Sequence, residues 1–185
     1  MWPPQVLRQF AAVPPNPNVS DFHGPYNKLL YTLFPCDSEF TVVPQYLHPN
    51  SNMAVEFIVA FEVYFNDMPV LILELKRPGD IIWYSRRETA DQQIRERLGD
   101  LREMCPIPTL HAVSAFGTAI CFYSINTEVQ RPVITSHGIP RDRIVSNDTA
   151  PRDRWNYDVL EADGEARVRE LVDSIRAACA AIVSQ

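Results

Sequence analysis

At 185 residues, with 46% hydrophobic and 22% charged side chains, the chain has the length of one domain with a sizeable core and the composition of an ordinary globular protein. Its formal net charge of −6 counts against tight, non-specific binding along a phosphate backbone, but carboxylates gathered for a metal would add to that sum. No apolar run reaches bilayer length and the first residues lack the basic start and apolar stretch of a secretory signal, so a cytoplasmic or nuclear location with no membrane partner is expected.

Residues 1–20 carry Pro3, Pro4, Pro14, Pro15 and Pro17 without a periodic pattern, which predicts an extended proline-rich arm packed over a single domain at 21–185. Gly24-Pro25 opens a helix whose buried stripe is Tyr26, Leu29, Leu30, Leu33 and Phe34. Phe40 to Tyr46, interrupted by Pro44, reads as an edge strand. From Val55 to Phe65 every odd position is Val or Phe, while Glu56 and Glu62 fall among the even ones. That alternation predicts a strand with one core face. Asn66-Asp67-Met68 supplies a turn, and Pro69 to Lys76 returns with Leu71, Leu73 and Leu75 on its odd positions. A three-residue loop pairs odd with odd and merges the two apolar faces, whereas a two-residue loop would turn the leucines away, so the core selects the three-residue loop. Glu56, Glu62, Glu74 and Lys76 then share the opposite face.

Ser85-Arg86-Arg87-Glu88 reads as a capping box ahead of a helix with Ala90, Ile94, Leu98 and Leu101 buried, stopped by Pro106 and Pro108. Two strands are expected at 110–115 and 118–125, an irregular stretch at 126–160, and a final helix from about Asp163. The fold class is therefore α/β (α+β), a mixed central sheet flanked by helices.

Two carboxylates and a lysine on adjacent strands suit metal-assisted phosphodiester hydrolysis. Carboxylates hold Mg²⁺, a hard ion that prefers oxygen, and lysine acts on the attacking water or on phosphate oxygens. With Glu74-Leu75-Lys76 placed after helix and strands, the chain resembles the PD-(D/E)XK nuclease-like superfamily, whose restriction-endonuclease-like core has the order αβββαβ. Ala90-Asp91-Gln92-Gln93-Ile94-Arg95, Leu110 to Thr118 and Thr149 to Asp158 are similar to an expanded set of uncharacterised fungal proteins in that superfamily. The resemblance implies Glu56 and Glu74 as metal ligands, with Leu75 lending its backbone carbonyl and Glu62 as alternative ligand. It implies Lys76 as the catalytic lysine, Gln93 (or Gln92) as a supporting residue on the following helix, Mg²⁺ or Mn²⁺ as cofactor, and nucleic acid as partner. Val55-Glu56 stands where the family has Pro-Asp. A nuclease, or a catalytically degenerate module of the same fold acting in protein or ligand binding, is the functional expectation.

Plainer readings exist for the same residues. Glu74 and Lys76 suit a solvated strand face with a local ion pair. Lys76, Arg77, Arg86, Arg87, Arg95 and Arg97 form either a phosphate-binding rim or, with Asp80, Glu88, Asp91 and Glu96 between them, a salt-bridged surface. Arg141, Arg143, Arg152 and Arg154 pose the same choice. Cys36, Cys105, Cys121 and Cys179 lack the spacing of a zinc site or disulfide framework and read as reduced, mostly buried residues. The four histidines show no metal spacing, and His111 reads as a core residue.

Overall fold

The computed structural model describes residues 1–47 and 58–183. Helices α1 (Pro4–Ala11) and α2 (His23–Leu33) precede strands β1 (Phe40–Leu47), β2 (Ile58–Phe65) and β3 (Met68–Lys76). Helix α3 (Tyr84–Leu101), strands β4 (Thr109–Phe116), β5 (Ala119–Asn126) and β6 (Tyr157–Asp158), and helix α4 (Ala162–Val183) follow. The strands form one six-stranded sheet in sequence order. All neighbours are antiparallel except β3 and β4, whose parallel pairing is bridged by α3. The result is a mixed sheet with helices on both faces.

Alternation along the strands decides which helices cover which face. Phe61, Val63, Leu71, Leu73, Leu75 and Val113 pack with α1, α2 and α4. Ile72, Ala112, Cys121 and Tyr123, at even or opposing positions, pack with Ala90, Ile94 and Leu98 of α3. Glu62 and Glu74 are in register with the α3 side, so two carboxylates lie between a sheet and a helix.

The β2–β3 hairpin keeps the expected pairing of Phe61 with Leu73 and Glu62 with Ile72, but by a different turn. Only Asn66 and Asp67 form the loop, at φ 48° and 63°, the left-handed region demanded of both residues by the tight hairpin turn that suits strand twist. A bulge next to Val63 and Tyr64 then restores odd-to-odd pairing, with Val70 as the extra residue. Val70 and Leu71 consequently enter the same apolar cluster.

Two expectations are corrected elsewhere. Residues 4–11 are helical rather than extended: Pro4 occupies the first turn, where its missing N–H is harmless, and Val6 and Phe10 are buried one turn apart. Helix α3 begins at Tyr84, so Ser85 lies inside its first turn and no side chain caps it. Glu88 instead forms an ion pair with Arg141. Cys36 is exposed. Among the described residues, no helix is long and apolar enough to cross a membrane.

Candidate functional site

Glu74 lies opposite Ala60 on β2 and Ser114 on β4, two small residues on the face that α3 covers. Its side chain is only 3% exposed. The Lys76 ammonium, two residues on along the same face, is in ion-pair contact with Glu74 Oε1, but that oxygen receives no well-directed hydrogen bond. Lys76 Nζ donates to Gln93 Oε1 on α3. Burial pushes the Glu74 carboxyl above its ordinary range; Lys76 opposes the shift and Glu96 adds to it. Gln92, by contrast, is exposed and donates to Glu96 on the same helix.

Glu62 is fully buried and its oxygens are all engaged. Arg97 donates to Oε1 through Nε at 2.7 Å and through Nη2. The Tyr64 hydroxyl donates to Oε2 at 2.6 Å, and Gln45 Nε2 donates to the same oxygen at 3.3 Å. Burial, then the hydrogen bond and negative charge of Glu62, push the Tyr64 phenol up to about 12. Gln93 and Arg97 are one helical turn apart on α3, so Arg97 reaches the Glu62 carboxylate while Gln93 reaches the Lys76 ammonium beside Glu74.

The remaining arginines mostly hold the molecule together. Asp91 is nearly buried and accepts from Arg95 Nε at 2.7 Å, Arg154 Nη1 at 2.6 Å and the Tyr123 hydroxyl at 2.9 Å. Arg87 donates to the Ala150 and Ile81 carbonyls, both at 2.8 Å, and pairs with Asp148. These contacts pin the segment over 126–158 to α3. They place Arg87, Arg95, Arg97, Arg141 and Arg154 in ion pairs, as a salt-bridged surface requires.

Of the sequence-predicted site residues, Glu74, Lys76, Gln93 and the backbone of Leu75 come together, while the Leu75 side chain enters the core. Glu62 lies on the same face in a network of its own. Glu56 lies outside the described residues. Arg97, Tyr64 and Gln45 were not singled out as partners of Glu62, although the spacing of Arg97 four residues after Gln93 carried the signal. Burial and the Arg167 charge lower the His111 pKa to about 4, keeping it a neutral side chain in the sheet. Ser114 is buried and accepts from Trp155 Nε1 at 3.3 Å. Among the described residues, no group of three or more His, Cys, Asp or Glu side chains gathers closely enough to hold a metal ion. No family model matches the chain, and no curated protein or solved structure matches it.

Proposed function

We propose that this chain is a divalent-metal-dependent nuclease, or derives from one, and that it has the restriction-endonuclease-like fold of the PD-(D/E)XK superfamily. The element order αβββαβ from α2 to β4 supports the fold. The observation that carries the activity is a buried carboxylate, Glu74, with an oxygen lacking a well-directed hydrogen bond and a lysine alongside it that Gln93 holds. Glu74 fits one ligand of Mg²⁺ or Mn²⁺, with the Leu75 carbonyl as a second donor and Glu56 or Glu62 as the other acid. Glu62 would have to release Arg97 to take that role. Such a metal, when bound, lowers the pKa of a coordinated water and offsets charge on the phosphoryl group. Gln93 fixes the Lys76 ammonium, and Lys76 donates a hydrogen bond to a phosphate oxygen or to the attacking water.

A second reading draws on a specific observation. Arg97 already compensates Glu62, and Lys76 compensates Glu74, so both charges are balanced within the chain. A catalytically silent binding module of the same fold would look like this.

Titration calorimetry with Mn²⁺, followed by cleavage assays on single- and double-stranded DNA and RNA, separates the two. The hydrolase reading expects metal binding and EDTA-sensitive cleavage, with Glu74→Gln and Lys76→Met each lowering the rate by about 10²-fold or more. Of Glu56→Gln and Glu62→Gln, the true ligand behaves like Glu74→Gln. Absence of both metal binding at millimolar concentration and cleavage of every nucleic acid tried would favour the binding module.

A further inference from the structure

A groove of about 380 Å³ lies between the first turns of α3 and the loop over residues 141–147, lined by Tyr84, Ser85 and Glu88 on one side and by Arg141 to Asn147 on the other. That volume falls at the small-ligand end of the range of about 300–1,000 Å³ typical of binding sites. We propose that it is a nucleic-acid subsite in which a base of a single strand stacks on Tyr84 and Arg143 meets the adjoining phosphate. The choice of nucleic acid over other planar anions rests on the hydrolase reading above.

Three features carry the inference. Ile82, Trp83 and Tyr84 are consecutive and exposed to 57%, 59% and 67%, an apolar and aromatic run left in solvent beside the groove. Tyr84 nevertheless has a fixed support: the Arg87 guanidinium lies 5.2 Å from its ring centroid, and Arg87 is itself buried and held by hydrogen bonds to Ile81, Ala150 and Asp148. A ring braced from beneath and open to solvent is pre-organised to stack, so little ordering remains to be done on binding.

The charges of the groove complete the case. Arg141, Arg143, Glu88 and Asp142 sum to zero, but they are not equally available. Both Glu88 oxygens accept from Arg141. Asp142 Oδ1 accepts the backbone N–H groups of Ile144 at 2.7 Å and Val145 at 2.8 Å, which tie the carboxylate to its own loop and hold its charge rather than cancel it. Arg143 is exposed and makes no ion pair among the described residues, so its guanidinium is free to donate hydrogen bonds to an anion although the groove as a whole is neutral. Nine residues separate Tyr84 from Gln93, which puts them on opposite sides of α3 and roughly 14 Å apart along its axis, so the groove is distinct from the place where Gln93 holds Lys76.

The test is fluorescence anisotropy with 5′-labelled oligo-dT and oligo-U in EDTA at low salt, read alongside the tryptophan emission of the protein. Binding of either probe is expected, with Tyr84→Leu weakening it at least about tenfold, Tyr84→Phe close to wild type, and Arg143→Ala lowering the salt slope by about one. Thermal melts confirm that the variants fold, and rescue by phenylalanine isolates the aromatic face from any structural part of the ring. Failure of both probes to bind, or binding indifferent to Tyr84→Leu and Arg143→Ala, overturns the proposal. So does a duplex that binds as tightly as the single strand. Because metal is absent, binding without subsequent Mg²⁺-dependent cleavage would sink the hydrolase reading and leave this subsite standing. Cleavage that ignores Tyr84→Leu would do the reverse.

Discussion

Burial raises the Glu74 carboxyl more than the Lys76 ammonium lowers it, so folding disfavours its charged form relative to the usual value of 4.5. The folded protein therefore binds the proton more readily than the unfolded chain. The cost of the buried charge is present at neutral pH, falls as the pH drops through the raised folded value, and is absent below about 4.5. Glu74→Gln is expected to raise the melting temperature at pH 7.5, with the gain shrinking as melts are repeated down to pH 4.5. A structural ion pair would give the opposite sign, a loss at neutral pH. Glu74, Lys76 and Gln93 were legible as a set because the strand alternation and the position of the following helix leave few other arrangements. The closure of Glu62 by Arg97, Tyr64 and Gln45 was not, because it depends on which diagonal of the sheet an arginine on α3 crosses.

The β2–β3 hairpin was readable in pairing but not in turn geometry. Apolar alternation fixes which faces must coincide, and two solutions satisfy it: a longer loop, or a tight loop with one extra residue in the ladder. Asn66-Asp67 favours the tight loop, since both residues tolerate the left-handed backbone better than most. Helix α3 was legible over its length but not at its start, where Trp83 rather than a serine precedes the first turn. The shared packing of Phe61, 3% exposed, and Leu73, 4% exposed, sets the strength of the element. Phe61→Ala or Leu73→Ala is expected to cost about 2–5 kcal/mol in urea unfolding, the usual range for emptying a core position. A cost well under 1 kcal/mol at both would mean that this layer does not hold the sheet to its helices.

At the scale of the whole molecule, the misjudged element is α1. Five prolines in seventeen residues look like an extended arm, yet Pro3-Pro4 opens the helix and Pro14-Pro15 follows its end, so they punctuate rather than stretch the chain. Its anchor is Trp2, 2% exposed, whose Nε1 donates to the Val159 carbonyl at 2.6 Å and whose ring lies 4.5 Å from the Arg169 guanidinium. Trp2→Ala is expected to cost about 3–5 kcal/mol and to lower the single unfolding transition as a unit. A separate, earlier transition would instead mark α1 as an appendage. The bond from Trp2 to Val159 spans 157 positions of sequence, and that span matters most while the chain is still being made. At the usual pace of translation, about 5–20 residues per second, Trp2 waits on the order of ten seconds or more for its acceptor to be synthesised. Throughout that interval Trp2 lacks its acceptor, and the eight residues of α1, too few to hold a helix by themselves, stay an apolar stretch of the emerging polypeptide without its final seat.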